Sequence, residues 1–160
     1  IFNWSDLKRL LWLVTAFTIG HTLTLALATL GWISVNQTWI EFFIPCTILL
    51  SALQNLNFKD SKRRNSSKAP YVIVLLFGLI HGLGFSNYLQ SLLGKESSIS
   101  SPLLAFNIGL ELAQLIVVAG VLIFTTIVMS FTRVKRIHFV YVISGIIIGL
   151  VLPMVIERIP

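Results

Sequence analysis

The chain has 160 residues, of which 56% are hydrophobic and 11% charged, with a mean hydropathy of +0.88. That balance excludes an ordinary soluble domain and places the chain in the membrane class. The net charge of +6 sits mostly in short connectors between apolar runs, so no length remains for a separate soluble unit and residues 1–160 read as a single transmembrane domain.

Five runs approach the roughly 20 helical residues that a hydrocarbon core requires. A lipid-exposed segment must satisfy its own backbone hydrogen bonds, and no run alternates like a barrel strand. The predicted fold class is therefore all-α, a polytopic helical membrane protein with five transmembrane helices. The first run, Leu10–Trp32, follows Lys8 and Arg9 and contains Ala26-Leu27-Ala28, which together mimic a signal peptide. Thr18, His21, Thr22 and Thr24 are out of place in a signal's apolar core, so the run reads as a retained helix. The second, Trp39–Leu56, carries Pro45, which removes a backbone donor and favours a kink. It also holds Cys46, the single cysteine, which has no intrachain partner and reads as a small packed hydrophobe.

The third run, Tyr71–Leu93, contains FGLIHGLGF at 77–85, with His81 among Gly78, Gly82 and Gly84. Small residues four apart either let a neighbouring helix approach closely or ease local unwinding, and the spacing allows both. The fourth, Leu103–Phe131, sets Asn107, Glu111 and Gln114 four and three residues apart, on one helical face. The fifth, Phe139–Val155, has no His, Asp, Glu, Lys or Arg. Of the twelve Lys and Arg residues, ten fall on one side: Lys8 and Arg9, five between Lys59 and Lys68, then Arg133, Lys135 and Arg136. Only Lys95 and Arg158 fall on the other, which places loops 58–70 and 132–138 in the cytoplasm. The basic 59–68 stretch then reads as a connector facing lipid, so the partners expected are the bilayer and no nucleic acid. The oligomeric state is left open.

Ionisable groups at membrane depth are costly and mark candidate sites. His21, His81 and Glu111 lie well inside their runs, whereas Glu41, Glu96, His138 and Glu157 lie near ends, where water or headgroups reach them. Imidazole with carboxylate and no nearby thiolate suits nickel, cobalt, zinc, copper or iron. Thr18 and Thr22 flank His21 and can orient the imidazole or cap backbone carbonyls, and Asn107 and Gln114 can hydrogen-bond Glu111. Three functions fit these residues. One is a divalent-metal permease with a transient His21/His81/Glu111 site, its release coupled to protonation. Another is an intramembrane zinc hydrolase with Glu111 as general base toward metal-bound water. The last is a structural bundle whose polar groups fix helix register.

Three stretches, FTIGHTLTLALATLG at 17–31, FGLIHGLGFSNYL at 77–89 and LLAFNIGLELAQL at 103–115, closely resemble the signature stretches of the HupE/UreJ family of bacterial membrane proteins, second branch. The resemblance spans nearly the whole chain. It implies a small transporter of the bacterial inner membrane, rather than an enzyme, associated with uptake of nickel and sometimes cobalt for hydrogenase and urease maturation. The family's polar positions fall on His21 with Thr22, on His81, and on Asn107, Glu111 and Gln114. Family members typically carry an earlier helix with a His and an Asp-His pair; if one precedes Ile1, the protein has six helices with both ends outside.

Overall fold

The computed structural model describes residues 6–56, 68–93, 100–132 and 134–160. Expectations that rest on Lys59, Lys62, Arg63, Arg64, Lys95, Glu96 and Arg133 fall outside those residues. Five helices form: α1 (Leu7–Thr29), α2 (Gln37–Leu56), α3 (Ala69–Leu93), α4 (Ser100–Phe131) and α5 (Arg136–Glu157), with no strand among the described residues. All five are long and apolar enough to cross a membrane. At 1.5 Å per residue, they span about 30 to 48 Å.

The helix ends depart from the apolar runs for local reasons. α1 stops at Thr29, three residues short of Trp32, because Gly31 takes the left-handed conformation (φ 75°). The Trp32 N–H then donates to the Leu27 carbonyl (2.9 Å) and the Gly31 N–H to that of Ala28 (3.0 Å). This pair of bonds closes a helix in the Schellman manner. All five helices begin two or three residues earlier than the hydropathy alone implies: polar residues prolong α1, α2, α4 and α5 past the apolar core, and Ala69 and Pro70 prolong α3. Pro70 and Pro102 sit in first turns, where a missing N–H breaks no intrahelical bond.

Helix contacts run in the order α4, α1, α3, α2, α5, with the α1/α3 contact the most extensive. α1 and α3 are parallel neighbours, because Phe17 meets Gly78, His21 meets Gly82 and Ala28 meets Gln90. α4 runs antiparallel to α1, joining Thr18 to Gln114 and Thr22 to Asn107. α2 covers the other side of α3, with Ile44 against Gly84 and Gln37 bonded to Asn87. α5 packs on α2 and buries Val140, Ser144 and Val151.

Lipid tails are as apolar as leucine, so hydrophobicity alone does not join two helices within a bilayer; close backbone packing must do so. Gly20, Thr24 and Ala28 form a small stripe on α1, opposite Gly78, Gly82 and Ser86 on α3. A Cβ added at Gly78 would land on the Phe17 carbonyl oxygen, one at Gly82 on the His21 carbonyl oxygen, and one at Gly20 on the Leu75 carbonyl oxygen. α3 stays helical through all three of its glycines, so in this structure Gly78 and Gly82 serve contact rather than unwinding. The Thr24 hydroxyl donates across the seam to the Leu79 carbonyl (2.7 Å).

Candidate metal centre

This tight seam fixes where the first histidine goes. His21 follows Gly20 on the buried stripe of α1, is only 1% exposed, and lies between α3 and α4. Phe17 and Phe106 stack on its ring at centroid distances of 6.1 and 6.2 Å, and Phe85 meets it edge-on at 5.7 Å. Neither Nδ1 nor Nε2 has a hydrogen-bond partner among the described residues. A neutral imidazole carries one donor and one acceptor, and each buried polar group left unpaired costs about 1–3 kcal/mol.

His81, half-buried on α3, meets the same Phe17 ring edge-on at 5.3 Å. The His81 Nδ1 lies 2.8 Å from the Phe77 carbonyl oxygen one turn back. A carbonyl only accepts, so that contact puts the proton on Nδ1 and leaves the lone pair on Nε2, a tautomer that can ligate a metal through Nε2.

α4 adds a polar ladder beside this pair. The Thr22 hydroxyl donates to Asn107 Oδ1 (2.6 Å) and the Thr18 hydroxyl to Gln114 Oε1 (3.1 Å). Asn107 in turn donates through Nδ2 to the Leu103 carbonyl (2.8 Å). The threonines that flank His21 thus tie α1 to α4 instead of orienting the imidazole, and the two amides serve those threonines rather than Glu111.

Glu111 sits between the two rungs but opens elsewhere. It lines a groove of about 380 Å³ with Thr15, Thr18, Ile19, Thr22 and Leu23. At about 100° per residue, the Thr15, Ile19 and Leu23 stripe lies roughly 120–200° round α1 from His21. On the histidine side, an apolar groove of about 400 Å³ between α1, α3 and α4 is walled by Phe17, Val74 and Val117, among others. The structure therefore sets His21 and His81 against one shared ring, that of Phe17, and holds Glu111 at the same depth on another face of α1. Among the described residues, no three His, Cys, Asp or Glu side chains gather where they could hold one ion.

Sequence reasoning missed Phe17, Phe85 and Phe106, which enclose the imidazoles, and the seam-bridging role of Thr24. The Gly20, Thr24 and Ala28 spacing of four was a legible signal for the latter; nothing in the sequence distinguishes these phenylalanines from the other eight.

No curated protein and no solved structure matches the chain. The family model described as HupE / UreJ protein matches residues 1–158. With five membrane-crossing helices and a match over nearly its entire length, this multi-pass membrane protein belongs to the HupE/UreJ family, a family tied to metal transport.

Proposed function

We propose that the chain is a permease for a divalent transition metal, nickel or cobalt, which binds transiently at His21 and His81 during its passage. One observation carries this reading: an imidazole that is 1% exposed, with both nitrogens unpaired among the described residues, shares the Phe17 ring with a second imidazole whose lone pair is on Nε2. Packing alone would favour an apolar side chain at position 21, because an unpaired imidazole is a standing cost. An imidazole in a nearly dry aromatic enclosure becomes useful when a cation arrives. Two nitrogen ligands suit nickel and cobalt, and they are few enough to let the ion leave, as conduction demands.

Glu111 supplies negative charge at the same depth. In low-dielectric surroundings, that charge offsets part of the cost of a divalent cation. The zinc hydrolase reading needs a general base beside the metal ligands, and its candidate, Glu111, opens to the groove on another face of α1. The ten-to-two distribution of Lys and Arg supports a cytoplasmic placement for loops 58–70 and 132–138 in a bacterial inner membrane.

The test is accumulation of radiolabelled nickel and cobalt by cells that lack their own uptake system for these metals. The wild-type chain is expected to confer uptake, and His21→Ala or His81→Ala, at matched protein level, to abolish it. Undiminished uptake in both variants would refute the reading.

A further inference from the structure

The groove to which Glu111 opens is a second polar feature at membrane depth. It lies between α1 and α4, holds about 380 Å³, and is lined by Thr15, Thr18, Ile19, Thr22, Leu23 and Glu111. That is room for several waters, each of which takes about 30 Å³ in the liquid. At about 100° per residue, Thr15, Thr18 and Thr22 fall within roughly 60° of arc, so α1 carries three hydroxyls as one stripe along the groove.

Hydrogen bonding leaves this lining rich in acceptors. Thr18 and Thr22 give their single protons to Gln114 Oε1 and Asn107 Oδ1, which leaves lone pairs on both hydroxyl oxygens. Thr15 keeps the one uncommitted hydroxyl proton. The Gln114 side chain lines the other groove, on the histidine side, and the backbone N–H groups of α1 and α4 at this depth are engaged within their own helices. Among the described residues, no Lys, Arg or His lines the groove, and Glu111 makes no hydrogen bond or ion pair.

A carboxylate at membrane depth is costly unless a positive charge meets it, and the groove's own side chains supply none. Two carboxylate oxygens and three hydroxyl oxygens are the hard donors that hard cations take, with water completing the shell. Charge selects the valence. With one carboxylate, a monovalent ion makes the site neutral, whereas a divalent ion leaves a net charge in low-dielectric surroundings.

Resting on the permease reading, we infer that Glu111, with Thr15, Thr18 and Thr22, binds a small monovalent cation such as Na+ on a different face of α1 from the histidines, and that this ion and the transported metal weaken each other's binding. The coupling follows from charge. The carboxylate offsets the cost of a divalent ion at His21 and His81 only while it is itself unneutralised, and linkage makes the effect reciprocal. A monovalent ion at Glu111 therefore favours release of the metal from its imidazoles.

Calorimetric titration of nickel into the purified full chain tests the inference, at fixed pH in non-ionic micelles, with Na+ or with choline at equal ionic strength. In the wild type, saturating Na+ is expected to raise the nickel Kd about tenfold, within the usual range of coupling between sites. Glu111→Gln is expected to bind nickel in choline about as weakly as the wild type does in Na+, and to ignore Na+. Thr15→Val keeps the carboxylate and removes one hydroxyl oxygen, so the Na+ concentration for half the effect is expected to rise about fivefold, with the nickel Kd in choline unchanged. A wild-type Kd equal in Na+ and choline, an equal Na+ effect in Glu111→Gln, or an unchanged Na+ requirement in Thr15→Val overturns the cation site. If the wild type binds no nickel, the permease reading falls, and equilibrium binding of radioactive Na+ that Glu111→Gln abolishes keeps the cation site. Absence of both nickel and Na+ binding overturns both.

Discussion

Gly82→Ala adds a single methyl group to the α1/α3 seam, and its effect can be worked from the backbone. The new Cβ would fall on the His21 carbonyl oxygen and the Thr24 hydroxyl. The first belongs to a rigid helix backbone, so the helices must separate or shift. Forcing a methyl into a filled contact costs about 1–3 kcal/mol, and the better helix propensity of alanine returns about 1 kcal/mol. Because the clash is with backbone the upper end applies, and the net loss is about 2 kcal/mol at the seam that also positions His21, a fall of roughly 30-fold in the folded-to-unfolded ratio. Two other glycines supply controls. At Gly84, the new atom meets only side chains, the tip of Ile44, which can turn away, and Ile40 Cγ2 in ordinary contact at 3.5 Å, and at Gly120 nothing among the described residues lies within 4 Å. Gly84→Ala should therefore be near neutral and Gly120→Ala neutral or stabilising. Reversible denaturation in mixed micelles, followed by tryptophan fluorescence, gives the ranking. Gly82→Ala as stable as wild type, or Gly120→Ala as damaging as Gly82→Ala, would refute the account of the seam.

Thr22→Val removes the donor to Asn107 Oδ1 at nearly constant shape, and hydrogen bonds between membrane helices are worth about 0.6 kcal/mol on average. A loss of about that size in the same denaturation assay is expected, and no loss would mean the α1/α4 ladder is not formed. Gly31→Ala forces a side chain into the left-handed region at the end of α1 and should cost about 1–2 kcal/mol. A variant as stable as wild type would contradict the Schellman closure.

The fold was legible in the sequence because membrane helices announce themselves by length and apolarity, and all five runs became helices. Their order in space was not, since a run of hydrophobic letters does not say which face meets which neighbour. His21 and His81 stood out because imidazole is rare at membrane depth. Their shared contact with Phe17 follows from the Gly20/Gly78 seam, which sets the two helices in parallel register, and that is a property of pairs of helices. Glu111 shows the limit most clearly. Its spacing from Asn107 and Gln114 correctly places it on the α4 face toward α1, yet a helical face is wide enough that the two amides bond to threonines while the carboxylate opens to a groove on another side of α1 from His21.

The central claim is that His21 and His81 ligate one metal ion together. The measurement that tests it most directly is K-edge X-ray absorption on the purified full chain loaded with nickel or cobalt, beside His21→Ala and His81→Ala. The account predicts scattering from two imidazoles per bound ion in the wild type and from one or none in each variant. Bound metal without imidazole scattering, or a spectrum unchanged in both variants, would contradict it.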